Sequence, residues 1–434
     1  MSGARPHARS DPGTSAPPIP RDEAFDATFA LLREGYRFVS RRCERYGSDA
    51  FETRLMLRQA VCVRGADATR MFYEPGRFTR RGALPPTTLR LLQGKGSVQQ
   101  LDGEAHRLRK RLFLDVLSEG AVRRPCAGAR DRWRATARSW PAGRRVRLLD
   151  AVSETLCASA CRWAGIPLAD AELPRRTREL VAMIEQSGSF GPRAAAALLR
   201  RARSERWMRG IVERARDGRL LAPSGSPLAM VAAHRDLAGD LLDARTAAVE
   251  LLNLLRPTVA AARFVVFAAL AMHEHPQWRA GLAEADESAL EEFVQEVRRY
   301  YPFFPLIGGR VREPFDWHGR HFPRGAWVLL DVFGTNRDPR LWHEPDRFDP
   351  SRFRRRTPGA FEPIAQGGGG VRDGHRCPGE RATIALTATF VRELSGGLRY
   401  RVPPQDLSID LARMPAAPAS RFVVEIVEPP RAAA

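Results

Sequence analysis

Apolar residues recur at three- and four-residue steps over residues 21–47. Phe25, Phe29, Leu32, Tyr36 and Val39 fall on one face there, which predicts a helix. Alternation takes over at Phe51, Thr53, Leu55 and Leu57, so residues 51–64 read as a hairpin. From about 104 to 300 the period is mostly helical, broken by Gly and Pro at 165–167 and 223–227. Phe315 to Leu330 turns strand-like, with turns at Gly319 and at Pro323 to Gly325. Residues 336–376 have little periodicity and much Pro, Gly and Arg; a helix follows from about 378 to 395, then short strands. A loop of that length in a compact domain is usually functional. Residues 1–20 are expected to be a disordered tail and residues 21–434 one domain. The fold class expected is mainly α, a helical body with small antiparallel sheets at its margins.

Composition narrows the classes. The chain has 434 residues, 44% of them hydrophobic, enough for a large core. Basic residues number 70 and acidic ones 50, so the net charge is 70 − 50 = +20. Only Lys95 and Lys110 are lysines, and the arginines are spread along the whole chain. A nucleic-acid binder concentrates its charge in patches, so that class is disfavoured. Six cysteines, at 43, 62, 126, 157, 161 and 377, include no CxxC pair and fit neither a zinc site nor a disulfide framework. A cytoplasmic setting is expected. The N-terminal segment lacks the apolar core of a secretory signal. The longest apolar run, Phe264 to Met272, falls short of the ~20 residues that span a bilayer, so no membrane span is expected.

The segment from Gln366 to Glu380 is the most informative. It reads Gln-Gly-Gly-Gly-Gly-Val-Arg-Asp-Gly-His-Arg-Cys-Pro-Gly-Glu. Glycines such as Gly368 and Gly369 allow tight turns and close approach to something flat. Cys377 is expected just before a helix with Pro378 in its first turn, where backbone N–H groups stabilise a thiolate. Gly379 leaves room beside the sulfur. A thiolate held this way suits a haem iron.

These residues resemble the cytochrome P-450 superfamily, whose cysteine loop ends in Cys-x-Gly. Glu296-Val-Arg-Arg299 looks like its Glu-x-x-Arg pair, here Glu296 and Arg299, which ties a helix to the loop before the cysteine. Tyr301-Pro-Phe-Phe-Pro305 and Pro345-Asp-Arg-Phe-Asp-Pro-Ser-Arg-Phe353 follow in the family's order. The usual Phe and Gly, seven and four residues before the cysteine, are replaced by Gly370 and Asp373. That departure, with Gly334-Thr-Asn-Arg-Asp-Pro-Arg-Leu-Trp342 and Leu411-Ala-Arg-Met-Pro415, is similar to the bacterial fatty-acid peroxygenases, which use hydrogen peroxide. The resemblance implies haem b with Cys377 as its axial ligand, and a cytochrome P-450 fold with haem between a long distal helix and the cysteine loop. His375 and Arg376 belong to the same cofactor-binding loop.

The long apolar helix expected over 247–272 decides the oxidant. Most members carry an acid followed by Thr at its middle, a proton relay for dioxygen; here the equivalent place holds Arg256-Pro257. Glu250 lies nearly two turns earlier and does not rebuild that pair. Pro257 should kink the helix. An arginine in an apolar stretch needs an anion, and its fork suits a carboxylate. The resemblance implies that Arg256 grips a fatty acid whose own carboxylate acts as general acid–base. Arg263, seven residues on, is a possible decoy.

Further roles follow from the resemblance. His106 and Lys110 share a helix face and look like the pair that holds haem propionates. Gln99 looks like the residue beside the α and β carbons, where Gln accompanies hydroxylation and His accompanies decarboxylation. Gln93 replaces a usual Phe near the haem. Phe303, Phe304 and Leu306 are candidates for the substrate channel. His318, His321 and His343 read as surface residues, and Cys157 and Cys161 as core.

The leading reading is thus a peroxygenase that hydroxylates a long-chain fatty acid, or another carboxylate, at the α or β carbon. It needs hydrogen peroxide and no redox partner. The alternatives are an NAD(P)H-dependent monooxygenase with a redox partner, a decarboxylase yielding terminal alkenes, and a haem sensor or carrier.

Overall fold

The most apolar stretch of the sequence forms the centre of the molecule. Two helices, Ala244–Ala260 and Ala262–Glu274, run end to end through a computed structural model that describes residues 19–429. The tail expected over residues 1–20 lies outside the described residues, except for Ile19 and Pro20. Asp243 caps the first helix by accepting from the N–H groups of Arg245 and Thr246. Apolar all round, the pair is buried all round. Leu251, Leu252 and Leu255 pack into one core with Met183 and Met208. Phe264, Phe267 and Leu270 pack into another with Trp133, Phe293 and Phe390. By length and hydropathy the stretch Ala244–Glu274 would pass for a membrane span, but 89% of its most apolar window is buried in protein. The one helix expected here is two. The helix runs past Pro257 and breaks a turn later at Ala261, whose N–H reaches back to the carbonyls of Pro257 and Thr258.

Small sheets flank this body. Ala50–Leu55 and Arg58–Val63 form the expected hairpin. Its second strand pairs with Trp327–Asp331, followed by Leu306–Val311 and Phe78–Thr79. The pairing of Arg58–Val63 with Trp327–Asp331 is parallel, so this sheet is not wholly antiparallel as expected. Arg145–Arg147, Val423–Glu428 and Arg399–Arg401 make a second sheet, and Phe315–Trp317 with Arg320–Phe322 a third.

The helix expected over 21–47 is three short pieces, Thr28–Glu34, Gly35–Arg37 and Phe38–Tyr46. Phe25 and Phe29 are both 76% exposed, so the face they define is not the buried one. The hairpin tip explains this. Asp26 accepts from the Leu57 N–H at 2.6 Å and Thr28 from the Met56 N–H at 2.5 Å. These bonds fix how the chain enters the first helix and turn Ala27 inward in place of Phe25 and Phe29; further on, Tyr36 and Val39 of the expected face are buried, as is Phe38.

The helix Glu287–Tyr300 ties the long loop to this body. Glu296 and Arg299 are fully buried and meet through two bonds of 2.7 Å. Glu296 also accepts from Arg352 at 3.2 Å and from the Asp349 N–H at 2.8 Å. Arg299 donates to the carbonyls of Asn336 at 3.0 Å and Pro345 at 2.9 Å. The pair therefore stabilises a loop whose one helix, among the described residues, is the five-residue Ser351–Arg355. Glu296→Ala would leave two buried guanidinium groups without their anion. The expected loss is about 3–5 kcal/mol, read as a lower thermal midpoint and little soluble, haem-loaded protein; a well-folded single variant would contradict it.

Candidate active site

Cys377 closes the loop, its N–H donating to the Gln366 carbonyl at 3.0 Å. The helix after it starts at Glu380, with Gly379 as its cap, so Pro378 precedes the helix instead of lying in its first turn. The sulfur is held from several sides. The Gly379 N–H points at it, and Gln366 Nε2 lies 3.7 Å from Sγ. Gln366 is itself oriented, accepting from Arg298 Nε at 3.2 Å and donating to Thr383 Oγ1 at 3.1 Å. Arg298 also pairs with Glu380, whose other oxygen takes Arg376 Nε at 2.6 Å. Burial pushes the Cys377 thiol up from its ordinary value, while the Gly379 N–H, Lys110 and Arg298 draw it down. A bound metal ion takes the thiolate form.

A side chain at Gly368 would meet Thr69, Ile364 and Tyr73 at 3.1–3.2 Å, and one at Gly369 would meet Tyr73 at 3.0 Å. On this side the glycines make room for the ring of Tyr73, a residue the sequence did not single out. Gly379 does leave space, its nearest neighbours being Leu117 at 3.6 Å and the Cys377 sulfur at 3.8 Å.

Beside the sulfur lies a knot of basic groups. The rings of His106 and His375 stand 4.3 Å apart. Lys110 donates to the carbonyls of Gly374 at 2.8 Å and Arg376 at 2.5 Å. Buried Arg80, stacked over Phe72, joins them electrostatically. Burial pushes His106 down to about 4 and Lys110 down to about 8, and holds His375 well below its usual value. Among the described residues none of the four is in an ion pair. Arg80, Lys110 and the two imidazoles, His375 half-buried and the others buried, offer N–H donors without an anion and fit the propionates of a haem. Arg80 is missing from the sequence reading, because nothing local marks it.

Across the site stands the helix Ala244–Ala260. Arg256 is buried on it, with no carboxylate partner among the described residues. Its Nη2 donates to the Leu92 carbonyl at the end of the helix Pro86–Leu92, and its Nε has no partner. Burial, then Arg201, pushes its pKa down to about 9. Arg263 is different: it donates to Glu185 at 2.6 Å and to the Ala416 carbonyl at 3.1 Å, so its charge is already met. Gln99 is brought to the same helix, its Oε1 3.4 Å from Asn253 Nδ2. Phe303 stacks on Phe264 at 4.2 Å and meets Phe304 edge-on at 4.7 Å. His318, His321 and His343 lie on the surface, and Cys157 and Cys161 in the core.

A cysteine sulfur under an apolar helix, with basic groups waiting for two anions at one edge, defines a haem-thiolate protein. Comparison with known proteins agrees. The cytochrome P-450 family model matches residues 288–381. Cytochrome P450EX alpha, solved with myristic acid, is 40% identical, with 94% of this chain and 98% of that one covered, at a TM-score of 0.91. Cytochrome P450SP alpha with (R)-ibuprofen is 42% identical over 93% and 99% of the two chains, at 0.90. A variant of cytochrome P-450 OleT with arachidonic acid is 31% identical over 96% and 100%, at 0.91. Two curated relatives match over a short stretch only: the chain spans 12% of rhazimal synthase from Alstonia scholaris and 19% of cytochrome P-450 4e5 from Drosophila mettleri. The chain belongs to the cytochrome P-450 family, in the CYP152 peroxygenase branch, and its cofactor is haem with Cys377 as the axial thiolate.

Cys377→Ala should abolish the characteristic absorption of the reduced carbon monoxide complex. Gln366→Leu should keep it but shift the haem reduction potential negative, because a hydrogen bond to the sulfur withdraws charge from it. An unchanged potential in Gln366→Leu would remove Gln366 from the sulfur's partners.

Proposed function

We propose that the protein is a peroxygenase that oxidises long-chain carboxylic acids at the α or β carbon with hydrogen peroxide. The observation that carries this reading is Arg256, a buried guanidinium over the cysteine site with a free Nε and no acid beside it. Such a group is stabilised by an anion presented in its plane. The relatives solved with myristic acid, arachidonic acid and (R)-ibuprofen each hold a carboxylic acid, which supports that class of ligand here.

The haem, when bound, supplies the oxidising chemistry, with the overall balance R–H + H₂O₂ → R–OH + H₂O. The chain's own residues do the rest. Arg256 fixes the carboxylate, and so the one or two carbons next to it, near the cofactor. Phe303, backed by the buried ring of Phe264, and Phe304 offer apolar surface to the alkyl chain and exclude water. A proton must move during peroxide cleavage. Glu250, the acid nearest in sequence on this helix, is engaged by Arg109 and by the Val98 N–H at 2.8 Å each. The carboxylate held by Arg256 then serves as the general acid–base itself. Peroxide carries both oxidising equivalents, so this reading needs no redox partner. It treats residues 21–434 as one catalytic unit in the cytoplasm, with His106, Lys110, His375 and Arg80 holding the propionates.

Arg256→Ala should keep its haem and lose peroxide-driven fatty-acid oxidation by at least several hundred-fold, since orientation and acid–base group are each worth ~10²-fold or more. Arg263→Ala should act nearly like wild type, because Glu185 keeps Arg413 at 2.6 Å. Acetate, added with a substrate lacking a carboxylate, should restore turnover in wild type and not in Arg256→Ala. Hydroxy acids and terminal alkenes are both measured as products. Activity requiring NAD(P)H and a reductase, with none from peroxide alone, would overturn the proposal.

A further inference from the structure

Glu250 is a completely buried carboxylate that ties together three separate segments. Its Oε1 accepts from the Val98 N–H and from Arg109 Nη1, both at 2.8 Å, and its Oε2 accepts from Asn253 Nδ2 at 3.1 Å. Val98 belongs to the loop before the helix Gly103–Val116, Arg109 to that helix, and Asn253 to Glu250's own helix, one turn before Arg256. An ionised carboxylate only accepts, so Asn253 must turn its amide nitrogen toward it. The same nitrogen lies 3.0 Å from the Gln93 carbonyl and 3.4 Å from Gln99 Oε1. Rotating the Asn253 amide would set its oxygen against three acceptors, and in the observed orientation that oxygen has no partner. With two hydrogens facing three acceptors, Asn253 shares one of them with Gln99, whose Oε1 makes the longest of the three contacts at 3.4 Å. The Nε2 donors of Gln99 are turned the other way, and no described residue takes them.

Neutral side-chain amides alone would leave this relay free to reverse, since Asn and Gln each offer a donor and an acceptor end. Two acceptor-only groups give it a direction, the Gln93 backbone carbonyl and the Glu250 carboxylate. We propose that Glu250 is a positioning residue that sets, through Asn253, which end of the Gln99 carboxamide meets the bound acid, and so selects the carbon that is oxidised; this rests on the peroxygenase reading above. Gln99 then donates to an oxygen of the Arg256-held carboxylate or of the peroxide, and leans the acid toward one carbon. Glu250 does not itself touch substrate.

The test is the ratio of α- to β-hydroxy product from a long-chain fatty acid and peroxide, with haem content checked by the carbon monoxide spectrum. Glu250→Gln keeps the volume but puts an NH₂ where Oε2 stood, facing the NH₂ of Asn253. Asn253 must flip or withdraw, and Gln99 is released either way. The ratio should move at least threefold toward that of Gln99→Leu. In a Gln99→Leu background, Glu250→Gln should cause no further change. Should Glu250→Gln fail to load haem, Asn253→Leu cuts the relay while keeping the Glu250–Arg109 pair, and should give the same shift. An unchanged ratio in the single variants, or an equal shift in the Gln99→Leu background, overturns the proposal. Wild type that forms no hydroxy acid from peroxide overturns the peroxygenase reading itself, and this inference with it.

Discussion

Two neighbouring guanidinium groups hold together what presents Cys377. Successive residues on a helix point about a quarter-turn apart, so Arg298 and Arg299 serve different parts of one long loop. Arg299, paired with Glu296, gathers the carbonyls of Asn336 and Pro345. Arg298 reaches Gln366 and Glu380 on either side of the cysteine. Both arginines are almost entirely buried, so each bond is made where water cannot replace it. A loop with little regular structure thereby gains the rigidity that a metal ligand needs.

The two sides of the site solve the problem of buried charge in opposite ways. Around Glu296 and Glu250 every charge has its partner inside the chain, and these residues fix geometry. At Arg256, and at Arg80 and Lys110 beside the rings of His106 and His375, whose protonation burial disfavours, no acid closes the site among the described residues. The proposed reading places anions from outside at these donors: one carboxylate at Arg256 and the haem propionates at the cluster. Arg263 marks the contrast, since it lies on the same run of helix and is closed by Glu185. Position along a helix does not distinguish the two arginines; the partner does.

Much of this was legible in the sequence. Cys377 in its loop, Glu296 with Arg299, and Arg256 beside Pro257 stand in local patterns whose spacing carries the chemistry. What was not legible depends on residues far apart in the chain. Arg109 meets Glu250 across 141 residues and Arg298 meets Glu380 across 82. No local signal says which acid an arginine will find, so Glu250 read only as an acid in the wrong place. Arg80 and Tyr73 escaped for the same reason. At the N-terminus the helical period pointed inward correctly at Tyr36 and Val39 but not at Phe25 and Phe29, where bonds from Asp26 and Thr28 to the hairpin tip set the entry of the chain.

The open state of Arg256 also bears on how stably the chain folds. A cation buried without an anion disfavours the native state, and that penalty disappears when a carboxylate arrives. On the proposed reading, in which Arg256 takes the carboxylate of the acid, that acid is also a counter-ion for folding, and native stability rises with the logarithm of its free concentration. The chain without a bound acid is then its least stable form.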